Sequence, residues 1–129
     1  GLELLHSVAS TPSNIIDKSS AQDLAIIAWA GARFQLQSSR VWQSICRQVV
    51  SKIDRFQCQD LSNLLWALAS AGICDGVVLR SSTRAVCENI RGFKAQELAN
   101  VAWAFATLQV DDSDCSRAVL ADFVGKIDR

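Results

Sequence analysis

The chain has 129 residues, half of them apolar, with six Gly, one Pro and a formal net charge of zero. These values fit one compact unit or a short repeat array, exclude a low-complexity chain, and supply no global pull toward polyanions or membrane surfaces. No apolar run approaches the ~18 residues of a membrane span, and the first residues do not read as a secretory signal.

In chain order, the first element is a helix interrupted by Pro12, with Thr11-Pro12 as its cap and first helical position. Next comes QDLAIIAWAGARF at 22–34, opened by Ser20 to Asp23 in capping-box-like spacing. A helix over 40–54 follows, on which Trp42, Ile45, Cys46, Val49, Val50 and Ile53 share one face. QDLSNLLWALASA at 59–71 ends at Gly72, where a C-terminal cap belongs. A helix carrying Leu79, Ser82, Thr83, Val86, Cys87 and Ile90 leads to QELANVAWAFATL at 96–108. Asp112 or Ser113 then caps a last helix with Ser116, Val119, Leu120, Phe123, Val124 and Ile127 on one face.

These elements repeat. Trp29, Trp66 and Trp103 are 37 residues apart, as are Gln22, Gln59 and Gln96, and Leu24, Leu61 and Leu98. Ile16, Ile53, Ile90 and Ile127 keep the same period, and KIDR occurs at both 52–55 and 126–129. Such a period means stacked supersecondary units. The expectation is an all-α, right-handed α-solenoid of stacked helix pairs with a 37-residue repeat, seven or eight helices and no sheet. Its units run over about 1–37, 38–74 and 75–111, with a partial fourth at 112–129.

In each pair, helix A comes first and helix B carries the Trp. Helix B is expected to be sandwiched between its own helix A and a neighbouring unit, with small residues such as Ser62 and Ala69 admitting the neighbour. Trp29, Trp66 and Trp103 are therefore assigned to the structural core, the alternative being a base-stacking platform. Asp23, Asp60 and Glu97 fall in the first turns of the B helices, where an acid suits the helix dipole.

The chain begins at Gly1, contains no Met, and stops where another helix B would follow. The expectation is a fragment or processed product whose end, around Leu120, Phe123, Val124 and Ile127, is covered by a partner, a second copy or further chain.

Five Cys stand at 46, 58, 74, 87 and 115, none in C-x-x-C, and there is one His, His6, to which no role is assigned. A Cys/His metal site is not expected. Cys46, Cys87 and Cys115 read as free buried thiols, which suits a reducing compartment. No Gly-rich phosphate loop or nucleophile motif stands in the sequence, so no catalytic residue, cofactor or metal is assigned.

The neutral balance is uneven. Residues 33–94 hold nine Arg or Lys and four Asp or Glu, between two acidic ends. On helix A, Gln43, Arg80 and Arg117 are equivalent positions, and Arg47 and Arg84 stand four residues after the first two; Ala121 and Asp122 interrupt the second column. Arginine columns suit phosphate contacts and guanidinium stacking on bases, and a solvated helix face gives the same pattern. Asn63 and Asn100 form another column, able to read a base edge or to tie adjacent units together by hydrogen bonds.

FQCQDLSNLLWA at 56–67 and FKAQELANVAWA at 93–104 resemble the octotricopeptide repeat and the related helical repeats of RAP-domain proteins in protist and algal organelles. In the first unit Ser19 replaces the Phe and Ile26 the Asn. The resemblance implies a non-catalytic α-solenoid scaffold in a chloroplast or mitochondrion. Its partners would be single-stranded RNA or an RNA–protein assembly such as the ribosome. The alternative is a purely structural accessory subunit, docking by protein–protein interaction onto a large respiratory or photosynthetic complex.

Overall fold

The computed structural model describes residues 13–128, and among them the fold is all-α: seven α-helices, two 3-10 turns and no strand. The helices are α1 (Ser13–Asp17), α2 (Ala21–Arg33), α3 (Ser39–Lys52), α4 (Cys58–Ala71), α5 (Gly76–Glu88), α6 (Ala95–Leu108) and α7 (Ser113–Ile127). The 3-10 turns, Ile53–Arg55 and Ile90–Gly92, connect α3 to α4 and α5 to α6. Thr11, Pro12 and His6, on which the sequence analysis drew, lie outside the described residues.

Two rows form. In one, α2 packs on α4 and α4 on α6 along much of their length; in the other, α1 meets α3, α3 meets α5 and α5 meets α7. Each of α2, α4 and α6 approaches the helix that follows it most closely between the rows, α3, α5 and α7 respectively. The sequence reading had set each of these helices against the one preceding it. The short turn after each Trp-bearing helix explains the difference, since it folds the chain straight back.

Local chemistry places the boundaries. Ser20 caps α2 by accepting from Asp23 N–H at 3.1 Å, and Ser38 caps α3 by accepting from Val41 N–H at 3.3 Å. Asp75 Oδ1 accepts from Val77 and Val78 N–H, both at 3.0 Å, and Asp112 Oδ1 accepts from Cys115 N–H at 2.9 Å. Asp60 and Glu97 reach back to the N–H groups of Gln57 (3.0 Å) and Lys94 (2.7 Å), each satisfying a donor the helix leaves orphaned.

At the other helix ends, Gly72 is left-handed at φ 71°, and Ile73 N–H closes the turn onto Leu68 O. Gln35 and Gln109, one period either side of Gly72, take the same conformation at φ 62° and 55°. Leu36 and Val110 make the matching bonds to Gly31 O and Phe105 O.

The core runs between the rows through fully buried Leu24, Ile45, Leu61, Leu64, Leu65, Leu68 and Leu98, closed by Phe93 and Val119. Two assignments are corrected. Trp29 and Trp103 are 42% and 47% exposed and are not core, whereas Trp66 is half-buried and packs against the core. The α2–α4–α6 contacts are filled by small side chains such as Ala25, Ser62 and Ala69. Ser62 Oγ donates to Glu97 O at 3.3 Å across one boundary. Helices this close leave no room for an indole between them, so the Trp29 and Trp103 rings are turned outward. The buried tryptophan is Trp42, whose Nε1–H donates to Leu36 O at 3.0 Å.

Cys87 and Cys115 are not free thiols. A disulfide joins them between α5 and α7, with Cα atoms 5.8 Å apart. Cys46 is a free buried thiol; Cys58 is free and half-buried, and Cys74 is free and exposed.

Candidate functional site

Gln43 and Arg47 on α3, Arg80 and Arg84 on α5, and Arg117 on α7 are all exposed. Among the described residues none of these arginines is held by a carboxylate; the ion pair there is Lys126–Asp122 on α7, at 2.5 Å. The i,i+4 spacing puts each pair on one helix face, and successive helices of the row carry that face forward.

Gln43 lines one groove and Arg80 and Arg84 line another, while Arg47 lines a separate depression with Cys46 and Val50. The first, about 410 Å³, is lined by Trp42, Gln43, Cys46, Ile73 and Asp75. The second, about 650 Å³, is lined by Leu79, Arg80, Thr83, Val110 and Asp112, with Arg84 on its rim wall. Residue for residue the two sets stand 37 apart, so one groove repeats the other with Arg80 in place of Gln43. The opposite wall holds a capping aspartate, Asp75 or Asp112, whose carboxylate is engaged by helix N–H groups. In the second groove Thr83 is buried and its hydroxyl has no partner among the described residues.

Burial and, secondarily, the charge of Asp75 push the Cys46 thiol in the first groove up to about 11. Burial and then Glu97 raise the thiol of Cys58, beside the Ile90–Gly92 turn. Neither is an activated thiolate.

The remaining candidates, Asn63 and Asn100, are on the opposite row. Both are half-buried. They sit inside a larger pattern. Asp60, Asn63 and Trp66 follow at three-residue steps on α4, and Glu97, Asn100 and Trp103 repeat this on α6. On α2 the set is Asp23, Ile26 and Trp29, with Ile26 51% exposed in the amide's place. The Trp29 and Trp66 rings meet across the helix boundary with centroids 6.1 Å apart, tilted by 32°. The two columns, arginines on helix A and amides on helix B, thus stand on different rows of the structure.

At the end of the stack Leu120, Val124 and Ile127 on α7 are 53%, 49% and 54% exposed, and Phe123 is half-buried against the core. Sequence reasoning missed Asp75, Thr83 and the outward tryptophans. The first was legible as the equivalent of Asp112; the other two depend on helix separations that residue types do not encode. Among the described residues no three His, Cys, Asp or Glu side chains gather to hold a metal, and no helix is long and apolar enough to cross a membrane. No protein-family model matches the chain, and no curated protein matches it.

Proposed function

We propose that the chain is a non-catalytic α-solenoid module, built of stacked helix pairs with a 37-residue repeat, that binds single-stranded RNA along its arginine row. The observation carrying this reading is the set of exposed, carboxylate-free Arg47, Arg80, Arg84 and Arg117 on successive helices of one row, with Arg80 and Arg84 lining a groove there. Guanidinium groups offer bidentate contacts to phosphate and flat faces to bases. The helices α1, α3, α5 and α7 carry seven Arg or Lys against four Asp or Glu, so cations exceed acids on this row despite the neutral chain. The resemblance of 56–67 and 93–104 to octotricopeptide and RAP-protein repeats supports an organellar RNA–protein assembly, in chloroplast or mitochondrion. The test is the salt dependence of oligoribonucleotide binding, with and without the arginines.

A second reading has its own observation. The uncovered Leu120, Val124 and Ile127 favour a structural subunit that docks onto other proteins of a large organellar complex. Light scattering on the isolated chain tests it: self-association or instability supports docking, whereas a stable monomer with no partner on native purification counts against it.

A further inference from the structure

The groove between α5 and the α6–α7 connector, about 650 Å³, is of a size that takes a small organic molecule. Its two walls differ in charge. Arg80 and Arg84, one helical turn apart on α5, line one side, and Asp111 and Asp112 of the connector line the other. Asp112 is committed to Cys115 N–H, whereas Asp111 is exposed and forms no ion pair among the described residues. Leu79 and Val110 add apolar surface. Thr83 is 4% exposed, and its hydroxyl has no partner among the described residues. Buried hydroxyls are normally hydrogen-bonded, so this one points to a group that the groove takes up. One period earlier, Gln43, Cys46 and Cys74 stand where Arg80, Thr83 and Asp111 stand here. The first groove therefore lacks that cation, the hydroxyl and the uncommitted acid.

From these observations we infer that the second groove binds a guanine nucleotide, free or as one residue of a single strand. A ligand that uses both walls has an anionic end for α5, N–H donors for Asp111, and a body that packs on apolar side chains. A nucleotide is built this way. Its phosphate accepts from the guanidiniums of Arg80 and Arg84, which suit phosphate better than a point charge does. Its ring packs on Leu79 and Val110, and its edge faces Asp111. An ionised carboxylate only accepts, through two oxygens. Guanine sets two donors side by side, N1–H and the N2 amino group, one for each oxygen. Adenine, cytosine and uracil each place an acceptor beside the donor, and its lone pair would face the second oxygen. Where the guanine is carried in a strand the inference rests on the RNA reading, since that strand follows the arginine row; a free nucleotide needs the groove alone.

The test has two arms on the intact chain. Calorimetry titrates guanosine monophosphate, adenosine monophosphate and inorganic phosphate; anisotropy compares labelled oligouridylate with the same strand carrying one central G or one central A. Guanine should be preferred to adenine by about tenfold, the scale on which a bidentate base contact discriminates. Preference among the mononucleotides assigns a free ligand, and preference among the strands alone assigns an RNA residue. Asp111→Asn should erase the preference without weakening oligouridylate, and Arg80→Gln should weaken every nucleotide. Because Asp111 is exposed, its variant should keep the parent melting temperature. No preference for guanine in either arm, or a preference that survives Asp111→Asn, overturns the inference; oligouridylate bound normally beside such a result leaves the RNA reading standing. Guanine-selective mononucleotide binding with no strand bound sinks the RNA reading and keeps this one.

Discussion

The ammonium of Lys52 donates to the backbone oxygen of Ser19 at 2.8 Å, and also to that of Asp17 at 2.7 Å, 33 and 35 residues back in the chain. Lys126 repeats the arrangement on the carbonyls of Phe93 and Arg91, at the same two separations. Each lysine thus ties one arginine-row helix to the connector of the preceding unit, satisfying carbonyls that the end of a helix leaves without partners. At the equivalent position in the middle unit, Asn89 turns back to Ala85 O at 2.8 Å within its own helix.

Lys52→Met, which keeps the apolar stem, should therefore cost about 1 kcal/mol, a modest figure because the site is partly open to water. Asn89→Lys should place an ammonium near the Asp54 and Phe56 carbonyls and add stability of the same order. Urea unfolding of both variants checks this; an Asn89→Lys protein no more stable than the parent would deny that the contact is transferable.

The four tryptophans should divide sharply. Trp42→Ala removes a buried ring and orphans Leu36 O, and should cost about 3–5 kcal/mol. Trp103→Ala, with nearly half its surface already in water, should cost about 1 kcal/mol or less. Thermal melts of the two variants, side by side, measure the difference.

Gln35 and Gln109 hold the left-handed conformation without the freedom that Gly72 has. Gln109→Gly should stabilise by about 0.5–1 kcal/mol, and Gly72→Ala should destabilise by about 1 kcal/mol, since its φ is unfavourable for a residue with a Cβ. Denaturant midpoints at unchanged slope would establish both signs.

Cys46 supplies a pH dependence. Its folded pKa, about 11, lies above the ordinary 9.0. A raised value means the neutral thiol is favoured in the fold, so this contribution is complete below pH 9 and is lost as pH rises from 9 to 11. At pH 8 exposed Cys74 should alkylate quickly while Cys46 stays protected. Mass spectrometry after timed iodoacetamide labelling reads both, and equal labelling would contradict the burial of Cys46.

Much of the fold was legible because several signals agreed. Helical spacing put Ile45 and Val49 inside, and Ser20, Asp112 and Gly72 stand at the ends their chemistry marks. Trp29 and Trp103 were misread because helix B was expected to be sandwiched, with its Trp face packed on the neighbouring unit. With Ala and Ser at the helix contacts, the large ring is displaced outward instead. Gln35 and Gln109 gave no turn signal, since Gln is not a residue that favours positive φ. Cys87 and Cys115 lack any pairing motif, and only the facing of α5 and α7 brings them together. The arginine column and its place on a different helix from Asn63 and Asn100 were legible from the period, whereas the gathering of the two kinds of helix into separate rows required their packing.

The central claim, that the arginine row binds single-stranded RNA, is tested most directly by the salt dependence of oligoribonucleotide affinity. Fluorescence anisotropy would compare the parent chain with a triple Arg47→Gln, Arg80→Gln, Arg84→Gln variant. Each lost phosphate contact should lower the slope of log K against log salt by about 0.7 for a single strand, so the triple variant should be flatter by about 2. Binding that keeps its full salt slope in the triple variant, or no binding by the parent at low salt, would contradict the account.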